Sequence, residues 1–210
     1  EEHPDTYRFL REMAAVLGLP ITERSDGRSV TEVFRDEGFL GNNQNAMCSR
    51  ILKVEQCDKY IDELRSQGFD VIKVLGYSTR EWQRMQRAQA RAEQRGYRVL
   101  FPISSENVSK QDTADWVMAQ GIKPSAMYCW AEHANCVGCV KGGKAYWLAV
   151  AQNAPEVFAQ RAALEEEFGH GILRGGGREH HLLKDLVQIG LKRTVSAREA
   201  ITIGACECGD

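Results

Sequence analysis

Five cysteines fall in three short segments far apart along the chain. They are Cys48 in AMCSRILK, Cys136 and Cys139 in HANCVGCVKGGK, and Cys206 with Cys208 in the closing CECGD. A hydrophobic core has no need of cysteines at that spacing. Thiolates are soft ligands for zinc and iron–sulfur clusters, and an exposed thiolate of lowered pKa is a nucleophile. Cys136 and Cys139 offer two donors from one turn and Cys48 a third. Cys206 or Cys208 would complete a tetrahedral set. An iron–sulfur cluster is the expected cofactor, with zinc as the alternative and plain free thiols as the third reading. Cys57 and Cys129 read as small buried hydrophobes.

The elements that must position these residues follow from periodicity. EEHPDTYRFLREMAAVLGL is a helix with Pro4 in its first turn and Gly18 as its stop. PITER, residues 20–24, reads as a short strand. GRSVTEVFRDEGFL gives a short helix, then GNNQN a mobile polar turn. From Cys48 to Gly68 apolar residues recur at helical spacing. DVIKVLG is a β-branched run ending at Gly76, a central parallel strand. STREWQRMQRAQARAEQR is a polar helix capped by Ser78 or Thr79. YRVLFPI is a second strand, and Ser109 with Asp112 opens the helix after it. AYWLAVAQ, PEVFAQRAALEEEFG and HLLKDLVQIGLKR are helices, and LRGGGREHH is a glycine-rich loop. AITIGACECGD is a strand or tail. Alternating strands and helices predict an α/β fold with a doubly wound, mainly parallel sheet and helices on both faces.

Composition narrows the function classes. The chain has 210 residues, a net charge of −2, 27% charged and 43% hydrophobic residues, enough for a real core. It has no strongly basic footprint of the kind nucleic acid demands. It has no apolar run of membrane-spanning length and no signal-peptide pattern. Seven cysteines are an odd number in a chain too large to be a disulfide scaffold, so CxxC reads as intracellular chemistry and the expected compartment is the cytoplasm. RMQRAQARAEQR is read as a solvated helix face, with nucleic acid as a less favoured partner. The four tryptophans Trp82, Trp116, Trp130 and Trp147 are mostly assigned to the core. His133 reads as a loop residue, and His180 with His181 as a surface pair at a helix start.

Six segments in order resemble the phosphoadenosine phosphosulfate (PAPS) reductase family of the adenine nucleotide alpha-hydrolase-like proteins. They are EHPDTYRFL, CSRILKVE, IKVLGYSTREW, LFPISSENVSKQDTADWVMAQGI, HANCVGC and the Glu207-Cys208-Gly209 triplet. The resemblance implies an adenine nucleotide (PAPS, APS or ATP), a thioredoxin-like reductant and Cys208 as the nucleophile on an activated sulfate. The thiosulfonate so formed is resolved by a second thiol. Three departures stand out. The family's SGGKDS-like phosphate loop is absent, which gives the expectation that an N-terminal segment is missing from the sequence. Asp210 stands where the family has Leu-His. Gly76-Tyr77-Ser78-Thr79-Arg80 does not reproduce an RRxQS-like run. Without that loop, the candidate phosphate ligands are Arg50 and Lys53 beside Cys48, Gly76 at the strand end, and Lys141 and Lys144 around Gly142-Gly143. RGGG at 174–177 is a weaker anion candidate, better read as a linker. Residues 1–135 are expected to form the nucleotide-binding core and 136–210 a cysteine-containing helical region. The alternative functions are an ATP pyrophosphatase-type adenylating or thiolation enzyme, acting on nucleic acid or a small molecule, and a non-catalytic nucleotide-binding module. A homodimer through PEVFAQRAALEEEFG is a further expectation.

Overall fold

A computed structural model describes residues 2–174 and 180–190. They fall into two compact units. The first gathers residues 2–56 with 124–174 and 180–190; the second is residues 57–123.

The first unit is helical. Its elements are α1 (Pro4–Leu17), α2 (Val30–Asp36), α3 (Met47–Ser49) running into a π-helical turn (Arg50–Val54), a 3₁₀ turn (Ala126–Cys129), α8 (Lys144–Asn153), α9 (Pro155–Phe168) and α10 (Leu183–Gly190). α1 begins where expected, with Pro4 in its first turn, and ends at Gly18 in a left-handed conformation. α2 is fixed by a reciprocal cap between Ser29 and Glu32. The core gathers Phe34, Leu40, Val140, Trp147, Val150, Leu164, Ile172 and Leu183, with Phe34, Leu40 and Trp147 fully buried. Val140 directly follows Cys139, so its burial anchors the second cysteine segment to that core.

The second unit carries the parallel pair. It contains most of α4 (Glu55–Ser66), then β1 (Ile72–Val74), α5 (Trp82–Arg95), β2 (Arg98–Leu100), α6 (Pro102–Ser105) and α7 (Lys110–Ala119). β1 and β2 are parallel, with Ile72 opposite Arg98 and Val74 opposite Leu100. Parallel neighbours need a crossover, and α5 supplies it. Ile61, Ala92, Tyr97 and Val99 make the core between helices and strands. Asp58, buried on α4, accepts Arg91 Nη2 of α5 at 2.7 Å and lies 3.7 Å from Lys73 Nζ of β1. One carboxylate thereby ties three elements together.

The described residues thus combine many helices with one small parallel sheet. Several expectations need correcting. PITER is irregular rather than a strand. GNNQN is an organised turn: buried Asn42 accepts the Gln44 and Asn45 N–H groups at 3.0 and 2.9 Å through its side chain. The flanks of the glycine-rich loop pair as an antiparallel ladder, β3 (Leu173–Arg174) with β4 (His180–His181). His180 and His181 therefore lie on a strand, not at a helix start. Trp147 is buried, but Trp82 and Trp116 are exposed. Cys57 and Cys129 are exposed, not buried. Among the described residues no helix is long and apolar enough to cross a membrane.

Candidate functional site

Local sequence builds the thiol site from two sides. Cys48 sits in α3 directly before the π-helical turn that carries Arg50 and Lys53. Cys136 and Cys139 bracket a tight turn in which the Cys139 N–H donates to the Cys136 carbonyl at 3.1 Å. Gly138 in that turn has φ +75°, a value that favours glycine. The structure brings these cysteines into one electrostatic neighbourhood. Burial pushes the Cys48 thiol up, and a charge on Cys139 would push it further, while Lys141 and Arg161 pull it down. Burial pushes Cys136 up to about 11; Lys53 opposes this, while Glu2 and Cys139 add to it.

Glu2 and Lys53 complete this corner. Glu2 Oε1 accepts the Lys53 ammonium at 2.5 Å and the Cys136 Sγ at 3.2 Å. Burial would raise the Glu2 carboxyl, but hydrogen bonds from Lys53 and Cys136 hold it below its usual value. For Lys53 burial acts downward, but the hydrogen bond to Glu2 and the charges of Cys136 and Glu2 together outweigh it, raising the ammonium.

Two residues that belong to no motif in the sequence hold the cysteine turn. The Tyr146 hydroxyl donates to the Cys136 carbonyl at 2.7 Å and accepts the Cys139 N–H at 3.1 Å. Burial pushes that phenol up to about 12. Arg161 on α9 donates from Nε to the Gly138 carbonyl at 3.3 Å and from Nη1 to Thr31 Oγ1 at 3.0 Å. Only the pattern of α9 could have revealed it. Val157, Phe158, Arg161, Leu164 and Glu165 share one helical stripe, so a charged pair stands on an otherwise apolar face.

The candidate phosphate ligands are only partly gathered. Arg50 is paired with Glu55 and lies 4.0 Å from Glu37, and Lys53 is held by Glu2, so both already face carboxylates. Lys141 Nζ donates to Ser49 Oγ at 3.2 Å, which joins the two cysteine segments. Lys144 opens α8 after Gly143, its N-cap. Gly142 is required by packing: a Cβ there would stand 2.0 Å from the Tyr146 ring. Gly76 follows β1 in the other unit. Cys206 and Cys208 lie outside the described residues.

The donor set can be tested against the expected metal. Among the described residues no three His, Cys, Asp or Glu side chains are grouped to hold a metal ion. The described cysteines therefore do not by themselves fit a cluster or a zinc ion. Cys48, Cys136 and Cys139 are half-buried thiols, with Lys141 acting on the first and Lys53 on the second. Comparison of the chain with protein-family models, curated proteins and solved structures gave no match.

Proposed function

We propose that this chain belongs to an adenine-nucleotide enzyme of sulfur chemistry similar to PAPS reductases, acting by thiol-dependent reduction of an activated sulfate. One observation carries the reading beyond the motif order. The Cys48 segment and the Cys136–Cys139 turn, distant in sequence, are joined by Lys141 Nζ on Ser49 Oγ, which sets a cation beside the thiols. Thiols that accept sulfur and cations that favour an anion are both needed for such chemistry. In this reading β1 and β2 are neighbours in a doubly wound sheet, with the nucleotide near Gly76 at the carboxyl end of β1.

The chemistry assigned to the residues is simple. The Cys208 thiolate attacks the sulfur of the activated sulfate and the nucleotide leaves through its phosphate oxygen. A second thiol, supplied by a thioredoxin-like dithiol, attacks the Cys208 sulfur and releases sulfite, leaving a disulfide. The test is sulfite release from PAPS with a thioredoxin-class reductant, with and without Cys208→Ser. Loss of release in that variant is expected. Release that survives Cys208→Ser, or conversion of ATP to AMP and pyrophosphate with no sulfite from PAPS, overturns the reading. The second result assigns the chain to the adenylating class instead.

A further inference from the structure

The Cys136–Cys139 segment has the geometry of a closed four-residue turn. Its ends are joined by the 3.1 Å hydrogen bond, and Gly138 at the third position has the positive φ of a type II turn. Such a turn keeps its first and fourth Cα atoms within about 7 Å. A disulfide spans about 4.4–6.8 Å between Cα atoms. The backbone therefore already holds these two cysteines near bonding range, with no metal required to gather them.

Two side chains keep the turn closed. Tyr146 engages both ends at once through the Cys136 carbonyl and the Cys139 N–H. Arg161, 3% exposed, grips the Gly138 carbonyl from α9 and is itself oriented by Thr31. Val157 fills the space beside Gly138, where a Cβ would come within 2.5 Å of its Cγ1. The turn is braced on two sides, by Tyr146 at the edge of the core and by buried Arg161, which limits its freedom to open.

We propose that Cys136 and Cys139 are a redox dithiol that closes to a disulfide within this turn, and that Tyr146 and Arg161 are its positioning residues. The inference goes beyond the nucleotide reading and does not rest on it. It takes the place of metal ligation at these two sulfurs, for which the described residues supply no sufficient donor group. The oxidant is a small disulfide such as glutathione disulfide. Cys139 sulfur attacks one glutathione sulfur and expels the other half as a thiolate, which takes up the proton lost from Cys139. Cys136 sulfur then attacks the mixed disulfide at the Cys139 sulfur and expels the second glutathione, which takes the Cys136 proton. The protein loses two protons and two electrons, and one glutathione disulfide takes them up to become two glutathione thiols.

The experiment equilibrates the full chain in buffers of graded glutathione to glutathione disulfide ratio, quenches with acid, alkylates and maps peptides. A Cys136–Cys139 disulfide, lighter by two hydrogens, is the expected product. Tyr146→Phe keeps the ring but removes the brace, and Arg161→Met removes the other. Each is expected to lower the equilibrium constant for closure about tenfold, which is about 30 mV for a two-electron couple. Arg161→Lys is expected to recover part of that loss, a rescue that general destabilisation would not produce. Four results overturn the proposal: glutathione remaining on either cysteine without closure, Cys48 as the linked partner, an unchanged constant in Tyr146→Phe, or bound zinc or iron that blocks oxidation of both sulfurs. Should a variant fail to fold, the oxidation map of the unaltered chain still decides. Failure of the nucleotide reading shows separately, as absent sulfite release from a chain whose dithiol still closes.

Discussion

Gly138→Ala puts the cysteine turn under a measurable load. Two costs are independent. A residue with a Cβ at φ +75° costs about 1–2 kcal/mol. The added methyl would also sit 2.5 Å from Val157 Cγ1, about 1 Å inside ordinary contact, and overpacking of this kind costs about 1–3 kcal/mol. Val157 cannot simply withdraw, because one turn along α9 Arg161 holds the Gly138 carbonyl and Thr31. The sum is about 2–5 kcal/mol, or a melting shift of about 4–20 °C for a chain of this size. Urea unfolding of Gly138→Ala, Val157→Ala and the double variant separates the two parts. Val157→Ala should cost about 1 kcal/mol alone, since that side chain is only partly buried. In the double variant the steric share should be returned, a coupling of about 1–3 kcal/mol, while the backbone share stays. A Gly138→Ala cost under about 0.5 kcal/mol, or strictly additive variants, would refute the packing of α9 on this turn.

Two further outcomes concern carboxylates. Buried Glu165 accepts the Ile172 N–H at 2.7 Å and the Leu183 N–H at 2.6 Å, so it clasps both flanks of the β3–β4 ladder. Glu165→Gln should cost about 1–3 kcal/mol, because one amide N–H₂ must face a backbone donor. Burial raises this carboxyl above its usual 4.5 despite the two backbone donors. The folded state therefore binds the proton more readily than the unfolded chain. Its stability contribution falls as pH rises from 4.5 through the raised value, and Glu165→Gln should flatten that slope in urea titrations across the window. A slope identical in both proteins would count against the burial of this group. Asp5 behaves oppositely: the Arg8 guanidinium, with help from the Ala126 N–H, holds it down at about 2. Its contribution is present above 3.8 and lost as pH falls through about 2. Asp5→Asn should cost about 1–2 kcal/mol near neutrality and almost nothing at the acid end. An equal loss at both ends would show that the pairing with Arg8 is not the source.

Much of the local structure was legible in the residues themselves. Pro4 and Gly18 bound α1, Ser109 with Asp112 opens α7, and the β-branched run around Ile72 pairs in parallel with that around Val99. These features depend on a few neighbouring residues, whose φ preferences and capping groups act over one turn. The cysteine spacing singled out residues that share an electrostatic neighbourhood, since Cys139 acts on the Cys48 thiol. Tertiary structure decided the rest. Arg50 and Lys53, read as phosphate ligands, face Glu55, Glu37 and Glu2, and a partner distant in sequence such as Glu2 cannot be read from the helix that carries them. Gly142, read as a phosphate approach, makes room for the Tyr146 ring. GNNQN has the composition of a loose loop, yet burial of Asn42 gives it a fixed turn. Tyr146 and Arg161 carry no motif at all. A hydroxyl and a guanidinium become structural braces only when folding places a backbone carbonyl within hydrogen-bond reach and removes the water that would otherwise satisfy both.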